Sequence, residues 1–120
     1  MRVYPYLSLR LSLTSETLVG PGKAALLQGI AETGSIAAAG RAMGMSYKRA
    51  WYLIDTLNTS FAEPLVVSTK GGKAGGGARL TPTGAQVLAL YRNMERTAHD
   101  ATARDLESLA ALATSPQATD

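Results

Sequence analysis

The stretch Leu7-Ser8-Leu9-Arg10-Leu11-Ser12-Leu13 alternates strictly between apolar and polar residues, the period-two pattern of a strand with one buried face. Tyr4 and Tyr6 fall on its other face, and Pro5 suits an edge or a strand start. The period then lengthens. Leu26, Leu27, Ile30 and Ala31 form a helical stripe, with Pro21 placed where a first turn tolerates it and Gly34 as the stop. Ser35 can cap a second, short helix whose inward positions are Ile36, Ala39 and Met43. Gly44 ends that helix and Ser46 can cap a third.

The third helix has the clearest periodicity in the chain. Ala50, Ile54, Leu57 and Phe61 make one narrow core-facing stripe, while Lys48, Tyr52, Asp55 and Thr59 point the opposite way. Tyr47 and Trp51 lie one turn apart on the flank between these faces. After Pro64, Leu65-Val66-Val67-Ser68-Thr69 predicts a short strand. Lys70 to Ala78 is a loop in which five of nine residues are glycine, and Arg79-Leu80-Thr81 returns as a strand. Thr81 as cap and Pro82 as first-turn residue open a long helix. Its apolar stripe runs through Val87, Leu90, Tyr91, Met94, Ala98 and Ala101 and continues less regularly through Leu106, Leu109 and Leu112.

Strand, three helices, strand, glycine-rich loop and strand is the element order of a winged helix. The expected fold is therefore mainly α with a small β hairpin, a winged helix-turn-helix followed by a long C-terminal dimerisation helix. The expected organisation is 1–82 for the winged helix-turn-helix, 83–113 for the long helix and 114–120 for a disordered tail. A helix of about 28 residues spans roughly 42 Å, longer than the core of so small a domain. Some of its stripe would be left in water without a partner helix, so a homodimer is expected through Val87, Leu90, Tyr91, Met94, Ala98 and Ala101.

Composition narrows the function. The chain has 120 residues, of which 46% are hydrophobic and few aromatic, which suits packed helices around one compact core. Without cysteine and with a single histidine, His99, it offers no disulfide framework and no thiolate or histidine-rich metal site. No apolar run approaches a membrane span, and the N-terminus lacks the apolar block of a signal peptide, so a cytoplasmic protein is expected. The polar residues form no nucleophile, base and orienter set, so neither an enzyme nor a cofactor is expected.

The net charge of +3 matters less than its placement. Residues 41–79 carry Arg41, Lys48, Arg49, Lys70, Lys73 and Arg79 against Asp55 and Glu63, a balance of +4, whereas residues 81–120 balance at −2. A local basic block is the footprint of a polyanion partner. In a helix-turn-helix the second helix of the pair lies in the major groove of double-stranded DNA. Here that helix begins Ser46-Tyr47-Lys48-Arg49, which supplies hydroxyls, two cations and an aromatic ring to phosphates or base edges. Ser35, Ser46, Tyr47, Lys48, Arg49 and Tyr52, with Lys70, Lys73 and Arg79 of the wing, are the expected DNA-facing residues. Trp51 reads better as a partly buried ring that packs the helix onto its neighbours.

The glycine loop admits other chemistry. A nucleotide-binding Walker loop needs glycine four residues before Gly-Lys and Ser or Thr after it, but Val67 and Ala74 hold those places. A small oxyanion-binding loop is the weaker alternative, because no second anion-binding element accompanies it.

Gly34-Ser35-Ile36, then Gly44-Met45-Ser46-Tyr47-Lys48-Arg49-Ala50-Trp51 and Asn58, resemble the DNA-binding domain of the molybdate-dependent transcriptional regulator (ModE) family. Gly71-Gly72-Lys73-Ala74-Gly75-Gly76-Gly77-Ala78-Arg79-Leu80-Thr81 followed by Gly84 is similar to that family's wing, and the resemblance covers roughly residues 20–95. It implies a LysR-like winged helix that dimerises on a palindromic operator, usually of molybdate-uptake or molybdoenzyme genes. Full-length members carry C-terminal oxyanion-binding domains that do not follow within these 120 residues, so molybdate binding by this chain is not expected. A winged-helix module that heterodimerises with a full-length regulator is the alternative reading.

Overall fold

The computed structural model describes residues 3–69 and 77–114. Two short strands, β1 (Leu11–Ser12) and β2 (Leu18–Val19), pair antiparallel ahead of three helices, α1 (Pro21–Thr33), α2 (Ile36–Ala42) and α3 (Tyr47–Ser60). A hairpin of β3 (Val66–Thr69) and β4 (Gly77–Leu80) follows, and α4 (Pro82–Leu112) closes the chain. This is the winged helix-turn-helix with a long last helix. Among the described residues no helix is long and apolar enough to cross a membrane.

Each helix starts and stops where local chemistry dictates. Ser35 caps α2 by accepting from the Ala38 amide at 3.0 Å, Ser46 caps α3 through the Arg49 amide at 3.0 Å, and Thr81 caps α4 through the Gly84 amide at 2.9 Å. Gly34 ends α1 at φ +71°, and Gly44 holds φ +74° in the turn between α2 and α3; both lie in the left-handed region that favours glycine.

The core gathers Leu26, Leu27 and Ile30 of α1, Ile36 and Ala39 of α2, and Ala50, Ile54 and Leu57 of α3. Val19, Leu65, Val66, Ala78, Leu88 and Tyr91 complete it. Phe61, expected on the same α3 stripe, is half-buried and packed against this cluster. Helices approach closely where side chains are smallest. A Cβ on Gly40 would stand 2.9 Å from the Cβ of Ala50, and one on Gly29 would stand 2.8 Å from that of Ala39. The start of α4 presses so hard on β3 that a Cβ on Gly84 would overlap the Leu65 carbonyl.

The N-terminal alternation holds for burial only as far as Ser12, since Leu13 is 52% exposed, and it does not hold for pairing. Leu7, Leu9 and Leu11 turn half-inward and Ser8, Arg10 and Ser12 outward, yet only Leu11 and Ser12 find a ladder, with β2 as partner. A two-residue strand at Leu18–Val19 is too brief to show a period, which is why the sequence did not mark it.

The stripe of α4 needs a larger correction. Tyr91, expected at a subunit interface, is 1% exposed in the core of its own protomer, where its hydroxyl donates to the Leu9 carbonyl at 2.7 Å. Burial, and secondarily the charge of Glu95, push the Tyr91 phenol above its usual pKa, while Arg92 opposes the shift. Val87 is also packed against the core, and Ala98 is half-buried. The apparent single stripe is two faces. Gly84, Leu88 and Tyr91 face inward, whereas Leu90, Met94 and Ala101 face outward with Leu112.

One side chain ties the third helix to the hairpin. Asn58 Oδ1 accepts from the Leu65 amide at 2.8 Å and the Val66 amide at 3.0 Å, and its Nδ2 donates to the Val66 carbonyl at 3.0 Å. Asn58→Ala leaves three backbone groups without partners and should cost about 2–3 kcal/mol. Urea denaturation of the variant measures this directly, and a decrease under about 0.5 kcal/mol would mean that water replaces the side chain freely.

Candidate nucleic-acid interface

The face of α3 opposite its buried stripe is open to solvent and carries Tyr47, Lys48, Arg49 and Tyr52. Ala50, Ile54 and Leu57 hold the helix from below, so its first turn and a half projects into solvent. Tyr47 is 56% and Tyr52 61% exposed, and Lys48 and Arg49 are exposed between them. The Arg49 guanidinium lies 5.7 Å from the centre of the Tyr52 ring, a cation–π arrangement that steadies a long side chain without discharging it. Ser46, Lys48, Arg49 and Tyr52 line one shallow depression.

Trp51 is 36% exposed and meets Tyr47 edge-to-face, with ring centres 6.2 Å apart and planes at 82°. This geometry stiffens the N-terminal turn of α3. The two rings form a wall of a cleft of about 210 Å³ between α2, α3 and the hairpin. Ser35, Ile36 and Ala37 line it from α2, and Ser68, Thr69 and Gly77 from the hairpin. Ser35 and Tyr47 therefore line the same cleft. Ser68 and Thr69 were not foreseen as site residues, because short hydroxyl side chains in a strand carry no signal until the hairpin is placed beside α3.

The position of the hairpin is itself determined by backbone contact. The Ala78 amide donates to the Gly34 carbonyl at 2.9 Å, and a Cβ on Gly77 would stand 2.6 Å from the same oxygen. Glycine at 77 allows the strand to lie against the turn that opens α2, which aims the hairpin along the α3 side of the molecule. Arg79 is exposed on β4. Lys70 and Lys73 lie outside the described residues, as do the centre of the glycine loop and the end of the expected tail.

The electrostatics are one-sided. Among the described residues, an ion pair joins Arg92 to Glu95 at 2.8 Å, and His99 Nδ1 lies 3.8 Å from a carboxylate oxygen of Asp100, all on α4. Lys48, Arg49 and Arg79 have no carboxylate partner there, and no acidic residue occupies the first turn of α3. Such a surface leaves its cations without a counter-charge among the described residues. No group of three or more potential metal ligands occurs among the described residues.

Comparison with known proteins agrees with this geometry. The profile of the bacterial regulatory helix-turn-helix proteins, lysR family, matches residues 23–85. The chain is 48% identical over 77 residues to the molybdenum-pterin-binding protein MopB of Rhodobacter capsulatus, covering 64% of this chain and 28% of MopB. It is 42% identical over 88 residues to the molybdenum transport protein ModE of Azotobacter vinelandii, covering 72% of this chain and 33% of that one. With the DNA-binding transcriptional dual regulator ModE of Escherichia coli (strain K12) it shares 40% identity over 83 residues, 69% of this chain and 32% of the relative. The chain thus spans 28% to 33% of the lengths of these relatives. Among solved structures it resembles ArgP from Mycobacterium tuberculosis with a TM-score of 0.53 at 23% identity, over 70% of this chain and 30% of that one, a likeness of fold.

The cap of α3 decides how well its exposed turn is held. Ser46→Ala should lower stability by about 1 kcal/mol and Ser46→Gly by only a few tenths. Lys48→Ala, on the open face, should stay within about 0.5 kcal/mol of the parent. Denaturant titration of the three variants checks the ordering, and equal decreases for Ser46→Ala and Lys48→Ala would contradict the capping geometry.

Proposed function

This chain belongs to the bacterial regulatory helix-turn-helix proteins of the lysR family, and we propose that within it the chain binds double-stranded DNA as a homodimer on a palindromic operator. The observation that carries the reading is the free N-terminal turn of α3, where Tyr47, Lys48 and Arg49 are exposed, with no carboxylate beside the cations among the described residues, while the opposite face is buried. A helix held in this way enters the major groove end-first, with its first turn at the base edges and phosphates. Tyr52 extends that surface one turn further. Ser35, Ser46 and the hairpin with Arg79, Lys70 and Lys73 contact the sugar–phosphate backbone beside the groove.

The regulated genes belong to molybdenum-related control in this reading, since the relatives include a molybdenum-pterin-binding protein, a molybdenum transport protein and a DNA-binding transcriptional dual regulator. The protein acts by occupying its operator, in the cytoplasm. Molybdate is sensed elsewhere than in residues 1–120.

Two copies are needed because one winged helix makes too few base contacts to single out an operator among competing sites. The outward face of α4 supplies the contact. Leu90 is 55% and Met94 44% exposed, and Ala101 and Leu112 continue the face at helical spacing. At 31 residues α4 is about 46 Å long, and its fully buried residues are confined to the first third. A second α4 covers what the protomer leaves bare, and a dyad then sets two recognition helices about one DNA turn, roughly 34 Å, or a multiple of it apart.

Operators recovered by selection from random duplexes test the groove assignment. Lys48→Ala and Arg49→Ala should each weaken binding about tenfold or more, with unfolding temperatures nearly unchanged. Full binding by the double variant would remove α3 from the groove.

Met94→Asp places a charge at the centre of the outward face. Sedimentation should show a dimer for the parent and a folded monomer for the variant at tens of micromolar. A monomeric parent at that concentration would leave the palindromic operator without a basis.

A further inference from the structure

Outside the surface of α3 already described, one other cluster of like charge stands out. Arg10 follows the half-buried Leu9, Lys23 lies in the first turn of α1, and Arg49 belongs to α3, yet all three line one open cleft of about 310 Å³. Its floor is Leu18, Leu53 and the turn from Gly20 to Gly22, and no carboxylate lines it. Arg10 lies along this turn, with its Nε 4.0 Å from the place a Cβ of Gly20 would take. Lys23 is braced by donating from Nζ to the Leu18 carbonyl at 3.0 Å. Neither Arg10 nor Arg49 has an acidic partner among the described residues.

We propose that Arg10 and Lys23, together with Arg49, form a second phosphate-binding surface that holds the DNA backbone beside the groove entered by α3. The inference rests on the DNA-binding reading above and extends it to residues outside the helix-turn-helix and the wing. Three cations without a counter-charge repel one another, a cost that is recovered when an anion lies across them. Arg49 makes the cleft continuous with the recognition helix, so a backbone in contact with α3 has a direct path into it. The cleft is open to solvent, and an exposed cation–anion contact contributes little alone. A polymer that presents several phosphates at once is therefore the fitting ligand, and a free oxyanion is not.

Arg10 also has a defined mounting. Its neighbour Leu9 accepts the hydroxyl of buried Tyr91, so the segment that bears the cation is tied to α4. Gly22, by contrast, faces open space, with nothing within 4 Å of a Cβ placed there. A glutamate at 22 should therefore add a negative charge without disturbing the packing.

The test uses the whole chain and a fluorescein-labelled random-sequence duplex long enough for two half-sites, titrated between about 50 and about 200 mM salt. Arg10→Ala should weaken binding and lower the log–log salt slope by about one unit for each phosphate that is no longer neutralised. Arg10→Lys should retain most of the slope, and Gly22→Glu should weaken binding at least as much as Arg10→Ala, none of the three with a lowered unfolding temperature. If Arg10→Ala and Gly22→Glu bind like the parent while Lys48→Ala does not, DNA binding stands and this surface is refuted. Failure of the unaltered protein to bind the duplex would overturn the parent reading and this one with it. Displacement of the duplex by inorganic phosphate at constant ionic strength would make the cleft a free-anion site and refute the proposal as well.

Discussion

The burial of one face of α3 is the contact on which the rest of the molecule depends. Ala50, Ile54 and Leu57 are almost fully enclosed between the other helices and the hairpin. Each large aliphatic among them contributes roughly 1.5–3 kcal/mol by leaving water, which is large beside the marginal stability of a domain this size. Because that face is committed, its opposite is necessarily exposed, and because the buried residues begin at Ala50 the preceding turn projects freely. Exposure of Tyr47, Lys48 and Arg49 is thus a consequence of where the apolar residues stand. Asn58 extends the same anchoring by making the far end of α3 part of the hairpin's hydrogen bonding.

Small residues convert that anchoring into a fixed geometry. Gly40 against Ala50 and Gly29 against Ala39 let the three helices approach to distances that any larger side chain would forbid. Gly77 lets β4 hydrogen-bond to the turn that opens α2, and Gly84 lets α4 leave the hairpin flush against Leu65. The hairpin and the last helix are therefore positioned by backbone contacts, and the first three helices by the close approach of glycine to alanine. This keeps their relative placement independent of the long, exposed side chains of Lys48 and Arg49.

How much of this was legible follows from what sets each feature. The three caps, Ser35, Ser46 and Thr81, and the stops at Gly34 and Gly44 are local chemistry, and the sequence displays them at the right positions. The α3 stripe was legible because one face is buried along most of its length. On α4 the same reasoning misplaced Tyr91, since two apolar faces a short rotation apart merge into one broad stripe when read along the chain. Only the packing of Leu88 and Tyr91 against the domain separates them. The cleft of Arg10, Lys23 and Arg49 was hidden for another reason. Its members are far apart in sequence, and the basic block recognised between residues 41 and 79 contains only one of them.

The separation of faces on α4 bears on how assembly and DNA contact are related. Its inward face, through Tyr91, holds the Leu9 carbonyl at 2.7 Å, and Arg10 is the next residue. Its outward face, through Leu90 and Met94, is the one we assign to a second subunit. Leu90 and Tyr91 are adjacent, so a rotation of α4 that seated it on a partner would be the rotation that seats it on its own domain. A rigid helix carrying both contacts on neighbouring residues leaves little freedom for one domain to turn relative to the dyad. The distance between two recognition helices would then be set by packing of side chains inside each protomer as much as by the interface itself. In such an arrangement half-site spacing would depend on Tyr91 and Leu88, which are buried within the protomer.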